Sequence, residues 1–181
     1  TFVNIINVCP ELYDRTIVVN GVSKAYSMTG WRIGYAAGPD LIVKEMKKIQ
    51  SQSTSNPNSI AQAAAIAALK GNQEFIRESA AIFKERHDFV FNQLKNVNGI
   101  DCVESKGTFY IFPDMSRLID KIEGITNDIE LAEFFLEKAE VAMVPGSAFG
   151  TQGCMRISFA TNMENLKESM KRMNNLLEDY Q

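Results

Sequence analysis

Apolar residues recur every three or four positions from Gln73 to Val97, and this stretch constrains the fold more than any other feature of the chain. Such spacing places the apolar side chains on one face of an α-helix. Gly71-Asn72, immediately before it, is typical of the end of a preceding helix. We therefore predict one long helix over residues 73–97, with a mixed segment on either side of it.

Two strands and two helices are predicted before the long helix. The apolar run Thr16–Val19 is typical of a buried strand, and Ile33–Ala37 is predicted as a second strand that Arg32 opens. Apolar spacing predicts helices over residues 39–50 and 58–69. This part of the chain therefore has the composition of an α/β domain.

After the long helix, the sequence predicts a smaller α+β unit. The apolar stripes of its helices indicate a packed core rather than a cofactor site. The predicted strands are Thr108–Phe112, Val141–Val144 and Met155–Phe159, and the predicted helices are Asn127–Ala139 and Met163–Tyr180.

Lys24 and Arg32 are the first candidates for a functional site. Lys24 follows the predicted strand Thr16–Val19, and open α/β sheets bind ligands just outside the carboxyl ends of their strands. A lysine amine can form a Schiff base with a carbonyl compound, and a guanidinium can bind a phosphate through two parallel hydrogen bonds. Pyridoxal phosphate carries both groups. The alternative is a solvated lysine and an arginine in an ordinary ion pair.

Arg156 is the third candidate, because it interrupts the apolar residues Met155, Ile157 and Phe159 of a predicted strand. Burying an unpaired guanidinium is costly, so a bound carboxylate would explain its position. Alternation along the strand is also compatible with the exposed face of an edge strand. The nearby segment 145–150 can be interpreted as a mobile glycine-rich turn without function.

Five segments, in order, resemble the class I aminotransferases, which are fold type I pyridoxal phosphate enzymes. They read SKAYSMTGWRIGY, TSNPNSIAQAAAIAAL, GTFYIFP, VPGSAFG and CMRISFATNMENL. The resemblance is closest to the bacterial aspartate aminotransferase subgroup, some of whose members also accept prephenate. Since the sequence starts at Thr1 within a region that is continuous in this family, we predict that the chain is the C-terminal part of a longer protein.

This resemblance implies an α/β fold, in which part of the fold type I large domain is followed by an α+β small domain. Residues 1–72 would be the C-terminal part of the large cofactor-binding domain, residues 73–97 the interdomain helix, and residues 98–181 the small domain. The net charge is +3 over residues 1–72 and −6 over residues 73–181, which is compatible with this division.

The resemblance also implies roles for the candidate residues. Lys24 would hold pyridoxal phosphate as an internal aldimine and then act as the catalytic base, Arg32 would bind the cofactor phosphate, and Arg156 would bind the substrate α-carboxylate. The implied reaction is a ping-pong transfer of an amino group from an amino acid, expected to be aspartate, to 2-oxoglutarate or another keto acid. Segment 145–150 resembles a loop that closes over the substrate. Segment 54–60 resembles a stretch near a dimer interface, which implies a homodimer.

Two positions depart from patterns found in the family. Gly21 stands where many relatives have a phosphate-binding serine or threonine, and Ser51 stands where the animal-type aspartate enzymes have an arginine for the side-chain carboxylate. In the family, the groups that bind and stack on the pyridine ring precede the cofactor lysine by long stretches that lie upstream of Thr1. The fragment alone is therefore expected to be inactive.

Charge and cysteine content argue against several other classes of protein. A net charge of −3 is far from the basic footprint of a nucleic-acid-binding domain. No apolar run reaches the roughly 18 residues that a membrane-spanning helix needs. Cys9, Cys102 and Cys154 are widely separated and odd in number, so they indicate neither a disulfide framework nor a zinc site, and they favour a cytoplasmic location.

His87 is the single histidine, and no second histidine or cysteine stands at ligand spacing from it. We expect a packed or surface residue rather than a catalytic one, which also argues against a Ser-His-Asp mechanism. Two other functions stay open. One is another fold type I pyridoxal phosphate enzyme, such as a lyase, a synthase or a prephenate aminotransferase. The other is a non-enzymatic C-terminal module that dimerises or binds a partner.

Overall fold

The computed structural model describes residues 3–180, except for the side chain of Asp179. It divides into two compact units, of which unit 1 extends to Arg77 and unit 2 begins at Glu78. Residues 1, 2 and 181, the ends of the first and last predicted domains, lie outside the described residues. The domain limits inferred from the sequence remain predictions.

Unit 1 contains a two-stranded antiparallel sheet and helices. β1 (Val18–Gly21) pairs with β2 (Gly34–Ala37), so that Gly21 lies opposite Gly34. The helices are α1 (Ile5–Val8), α2 (Asp40–Ser53) and α3 (Ser59–Lys70), and 3₁₀ turns cover Pro10–Arg15 and Thr29–Trp31.

The helices predicted in unit 1 are confirmed as α2 and α3. The Asn58 side chain accepts hydrogen bonds from the backbone N–H groups of Ile60 and Ala61, which fixes the start of α3. Proline at position 39 precedes the first turn of α2, where a missing N–H has no cost.

The prediction of a buried strand at Thr16–Val19 is wrong in position and in burial. β1 covers Val18–Gly21, and Val19 is 76% exposed. Its only partner among the described strands is β2, and an apolar run is buried only where another element packs on it. Among the described hydrophobic residues of unit 1, those that are buried are Val22, Ala61 and Ala65.

The predicted long helix is confirmed as α4 (Glu74–Lys95), and the division between the two units falls within it. The part of α4 that belongs to unit 2 buries His87, Val90 and Leu94, which recur at helical spacing. This helix face contributes to the core of unit 2.

Unit 2 contains a three-stranded antiparallel sheet in the order β3-β5-β4, together with helices. The strands are β3 (Tyr110–Ile111), β4 (Val144–Pro145) and β5 (Met155–Ser158). Besides α4, the helices are α5 (Ser116–Ile119), α6 (Asp128–Ala139) and α7 (Met163–Leu177), which a 3₁₀ turn extends to Tyr180.

Alternation along β5 separates a buried face of this sheet from a solvent-side face. Met155 and Ile157 are buried, whereas Arg156 is half-buried and Ser158 is exposed. Ile111 of β3 joins the same apolar core, as do residues of α4, α6 and α7. The core of unit 2 therefore lies on one face of the sheet, and Arg156 lies on the other.

Three predictions about the strands of unit 2 need correction. The strand expected at Val141–Val144 is β4, Val144–Pro145, which shares only Val144 with the prediction. The strand expected at Thr108–Phe112 is limited to Tyr110–Ile111, because Thr108 has a φ of 64°, which is incompatible with strand geometry. β5 lies between β3 and β4, so the interpretation of Arg156 as a residue of an edge strand is wrong.

Within residues 3–180, none of the helices combines the length and the apolar character that crossing a membrane requires. Among the side chains that the structure describes, no group of three or more histidine, cysteine, aspartate or glutamate residues could hold a metal ion.

Candidate active site

The loop between β1 and β2 carries two of the predicted site residues. Its ends, residues 22 and 33, are brought together because Gly21 pairs with Gly34. Lys24 lies just beyond the carboxyl end of β1, and Arg32 lies just before β2 at the same end of the hairpin. Both side chains are exposed. The hairpin thus places an amine and a guanidinium on one closed loop.

Gly34 lies close to the backbone of the paired strand, whereas Gly30 borders open space. A Cβ atom on Gly34 would lie 3.1 Å from the Asn20 carbonyl oxygen, which is a backbone atom of the paired strand. A Cβ atom on Gly30 would meet nothing within 4 Å. The space beside Gly30 is therefore open.

Backbone hydrogen bonds hold the segment around Lys24 in consecutive turns. The N–H of Ser27 donates to the Lys24 carbonyl at 3.1 Å, and the N–H of Met28 donates to the Ser23 carbonyl at 3.1 Å. Val22, which precedes this segment, is fully buried. The backbone of Lys24 is therefore fixed locally, although the side chain reaches solvent.

Tyr26 ties this segment to the end of α3. Its hydroxyl donates to the Gln73 Oε1 atom at 2.7 Å, and its ring lies 5.9 Å from that of Phe75. The Gln73 Nε2 atom in turn donates to the carbonyls of Ala68 and Gly71 at 2.9 and 2.7 Å. The side-chain amide of Gln73 thus connects the loop that carries Lys24 with the junction between α3 and α4.

Arg32 has a left-handed backbone conformation, with φ 51° and ψ 51°. This conformation costs a residue other than glycine about 1–2 kcal/mol, and such strain is concentrated at functional sites. The Nη1 atom donates to the Thr29 carbonyl at 2.9 Å, which holds one edge of the guanidinium. Among the carboxylates that the structure describes, none lies within ion-pair distance of Arg32.

The residues of this loop fit a small anion that also carries an aldehyde. Lys24 provides an exposed primary amine, and Arg32 provides a guanidinium whose charge no described carboxylate neutralises. The open space beside Gly30 leaves room for a ligand on the loop. Lys24 and Arg32 would hold pyridoxal phosphate through its aldehyde and its phosphate, respectively.

Arg156 belongs to unit 2, where it lies on the solvent-side face of β5. Its guanidinium carbon is 4.4 Å from the centre of the Tyr110 ring and 4.4 Å from that of the Phe149 ring. No carboxylate among the described residues forms an ion pair with it. Arg156 therefore keeps its charge and its N–H donors available for a carboxylate ligand.

The segment after β4 forms a turn that backbone contacts brace. A 3₁₀ turn covers Gly146–Phe149. The N–H of Gly146 donates a hydrogen bond to the Cys154 carbonyl at 2.7 Å. A Cβ atom on Gly146 would lie 2.7 Å from that same carbonyl oxygen, so only glycine fits there. The turn ends at Gly150, which has a φ of 83°.

Asp128, at the start of α6, anchors this turn. It is 2% exposed, and its Oδ2 atom accepts a hydrogen bond of 2.6 Å from the Ser147 N–H. Burial acts to raise the pKa of the Asp128 carboxyl, but hydrogen bonds from Ser147 and from the backbone of Asp128 and Gly153 outweigh it. The pKa is therefore lowered from its ordinary value of 3.8.

His87 is a packed residue, as expected from the sequence. It is 5% exposed, and its ring stacks on that of Phe91 with centres 5.8 Å apart. The Nε2 atom accepts a hydrogen bond from the Ser105 N–H at 3.1 Å, and Nδ1 lies 3.1 Å from a carboxylate oxygen of Asp88. His87 therefore joins α4 to the segment before β3.

Sequence reasoning predicts Lys24, Arg32 and Arg156 as site residues but does not indicate the residues that contact Arg156. Tyr110 and Phe149 lie within the segments GTFYIFP and VPGSAFG. The contact of Tyr110 with Arg156 follows from strand register and that of Phe149 from the turn after β4, and the sequence displays neither. Asp128 is identifiable only as part of a helix cap. The apolar residues beside Tyr110 and Phe149 in the sequence do not indicate that both rings contact the same arginine.

Comparisons with known proteins agree on one family. Residues 2–173 match the family model described as aminotransferase class I and II. The chain is 54% identical over 181 aligned residues to an aspartate/prephenate aminotransferase of Nitrosomonas europaea, covering 97% of this chain and 46% of that protein. It is 48% identical over 168 residues to an aspartate aminotransferase of Rhizobium meliloti, covering 91% and 41%.

Solved structures give the same result. A crystal structure of the aspartate aminotransferase from Rhizobium meliloti matches with a TM-score of 0.92 and 45% identity, covering 98% of this chain and 45% of that one. The aromatic aminotransferase from Pyrococcus horikoshii matches with a TM-score of 0.89 and 37% identity, covering 99% and 47%. The chain thus spans less than half the length of the relatives that it matches.

Proposed function

Because this chain belongs to the class I and II aminotransferase family, we propose that it supplies Lys24, Arg32 and Arg156 to the active site of a pyridoxal phosphate-dependent aminotransferase. The observation that carries this proposal is the closed β1–β2 loop, which carries both Lys24 and Arg32, a guanidinium that no described carboxylate pairs with. The names of the two curated relatives support aspartate as the amino donor.

Each of the three residues has a distinct proposed role. Bound pyridoxal phosphate supplies the electron sink that the reaction needs. Lys24 would hold the cofactor aldehyde through its Nζ atom and would also serve as the base that accepts the proton from the substrate α-carbon. Arg32 binds the phosphate oxygens, and Arg156 binds the α-carboxylate of the substrate.

The proposed reaction transfers the amino group in ping-pong order. Aspartate leaves as its keto acid before the second substrate, 2-oxoglutarate or another keto acid, binds. Amino transfer to prephenate is the second candidate, which the name of the Nitrosomonas europaea relative favours at 54% identity. We further propose that the whole protein acts as a cytoplasmic homodimer. Residues 1–181 alone are expected to be inactive, since they span less than half the length of their relatives.

Isotope transfer tests the proposed reaction. In the intact protein that carries this chain, loaded with pyridoxal phosphate, we expect the ¹⁵N label of aspartate to appear in glutamate when 2-oxoglutarate is the acceptor. Initial rates measured against both substrates should give parallel double-reciprocal lines, and prephenate tested as acceptor decides between the two candidates. Release of the label as ammonia, independent of any keto acid, would instead indicate a lyase. Absence of turnover with every acceptor would support a non-enzymatic module.

Replacing Arg32 with methionine is expected to weaken the binding of pyridoxal phosphate by about tenfold, since one hydrogen-bonded charged contact is lost. The binding of pyridoxal, which lacks the phosphate, should not change. Fluorescence or absorbance titration of the intact protein with both compounds measures the two dissociation constants. Arg15→Met provides a matched control, because Arg15 is another exposed arginine of unit 1. Equal losses for pyridoxal and its phosphate would contradict the role of Arg32.

A further inference from the structure

We propose that Tyr110 and Phe149 form an aromatic clamp on Arg156, and that this clamp sets the orientation in which the guanidinium receives a carboxylate. The proposal rests on the role proposed above for Arg156. Tyr110 and Phe149 are positioning residues in this scheme, because they act through Arg156. The aromatic clamp therefore decides how strongly the protein prefers substrates that carry an α-carboxylate.

Strand register places the first ring of the clamp. Tyr110 lies opposite Ser158 in the pairing of β3 with β5, and Arg156 is two residues from Ser158 on the same face. Such diagonal neighbours lie within reach of long and aromatic side chains. The Tyr110 ring centre is accordingly 4.4 Å from the Arg156 guanidinium carbon.

The braced turn after β4 places the second ring. Phe149 ends the 3₁₀ turn Gly146–Phe149, which the Asp128 carboxylate holds through the Ser147 N–H. The Phe149 ring centre is 4.4 Å from the guanidinium carbon, and the Phe112 ring meets it edge-on at 6.3 Å. The position of Phe149 is therefore supported from two sides, by a backbone anchor and by another ring.

Neither ring of the clamp is part of the apolar core. Phe149 is 48% exposed, and the core of unit 2 includes Ile111 and Ile157 but neither Tyr110 nor Phe149. A half-exposed phenylalanine gains little from burial where it stands. Its contact with a cation gives it a reason to be there, since aromatic faces attract guanidinium groups.

The clamp constrains the arginine without using its hydrogen-bond donors. Ring faces attract the positive charge and offer no oxygen or nitrogen acceptor, so contact with the two rings leaves the five N–H donors of the guanidinium unused. A carboxylate can then bind edge-on through two parallel hydrogen bonds. A carboxylate partner from the protein would have consumed the same donors, and none among the described residues is within ion-pair distance.

The backbone before Tyr110 is strained, which supports a functional position for this ring. Thr108 has a φ of 64°, and a β-branched residue rarely adopts a positive φ. Strain of this kind persists where the surrounding structure over-determines the conformation, and it is found preferentially at ligand sites.

The test measures carboxylate preference, which is the ratio of kcat/KM for aspartate to kcat/KM for its α-carboxamide, in the intact protein with bound pyridoxal phosphate. Arg156→Met should abolish this preference. Tyr110→Leu and Phe149→Leu should each lower the carboxylate preference about tenfold, because the guanidinium loses one of its two ring contacts. The kcat/KM for aspartate should fall, whereas the kcat/KM for the carboxamide should not change. Tyr110→Phe and Phe149→Tyr retain the rings and should preserve the preference within about twofold. Melting temperatures identify any variant whose fold is impaired, and the ring-retaining variants then decide the outcome.

The possible results separate the clamp from the proposed function. If Arg156→Met abolishes the preference but both leucine variants keep it, the clamp is wrong and the role of Arg156 stands. If Arg156→Met keeps the preference, or if the unsubstituted protein does not turn over aspartate, the proposed function fails and the clamp fails with it. A loss in Tyr110→Phe equal to that in Tyr110→Leu would also overturn the clamp, because the hydroxyl and not the ring would then be responsible.

Discussion

Replacing Lys24 with alanine is expected to lower the rate of amino transfer by about 10²–10⁴-fold, the usual contribution of a positioned acid–base group. The substitution removes the only group of the β1–β2 loop that can hold the aldehyde covalently and accept the α-proton. Arg32 is unchanged, so the cofactor should still bind through its phosphate. Single-turnover rates with aspartate, measured on the intact protein with saturating pyridoxal phosphate, test this expectation.

Covalent trapping locates the reactive amine independently of the rate. Borohydride reduction followed by peptide mass spectrometry should place the cofactor on Lys24 in the unsubstituted protein and leave the Lys24→Ala variant unlabelled. Lys70→Ala is the matched control, since Lys70 is an exposed lysine at the end of α3 in the same unit. Trapped cofactor on another lysine, or full activity of Lys24→Ala, would refute the assignment.

Helices are predictable from this sequence because their signals are local. The periodic stretch over residues 73–97 is α4, Glu74–Lys95, and its buried residues share one face. Asn58 and Asn127 cap α3 and α6 through their side chains, each accepting hydrogen bonds from the first turn. Apolar spacing and capping residues are both readable within a few positions of the helix that they define.

Strands are less predictable because they depend on contacts between distant residues. Val19 looks like a residue of a buried strand in sequence, yet it is 76% exposed because β2 is the only strand described beside β1. Thr108 cannot continue β3, because its backbone has a positive φ that the sequence does not indicate. Short helices such as α5 also go unpredicted, since four residues are too few to show a period.

The candidate site follows the same division. Lys24 and Arg32 are recognisable because both belong to one continuous segment with distinctive chemistry, and Arg156 is recognisable as a charge among apolar neighbours. The backbone conformation and the contacts that position these side chains are not recognisable in the sequence. The left-handed conformation of Arg32 and the contact of Tyr110 with Arg156 arise from the loop geometry and the strand register, respectively. Sequence patterns thus indicate the chemical groups, and the structure adds their orientation.

Replacing Asp128 with alanine is expected to lower the free energy of unfolding by about 1.5–3 kcal/mol at neutral pH, the range for hydrogen bonds to charged groups. The substitution leaves the Ser147 N–H without its acceptor at 2.6 Å and releases the turn that carries Phe149. Urea unfolding measured by circular dichroism gives the free energy. Hydrogen exchange should also accelerate over residues 146–150, which identifies the turn as the part affected. Glu137→Ala, an exposed substitution in the same helix, should change neither quantity.

The contribution of Asp128 should depend on pH with a defined sign. Because its folded-state pKa is lowered from 3.8, the stabilisation is complete above pH 3.8 and is lost as the pH falls through the folded-state value. The free energies of unfolding of the unsubstituted protein and of Asp128→Ala should therefore converge on acidification. Taking the difference between the two proteins removes the similar contributions of Asp88, Asp114 and Glu130, whose pKa values are also lowered. A difference that stays constant down to the lowest accessible pH would show that the charge of Asp128 does not hold the turn.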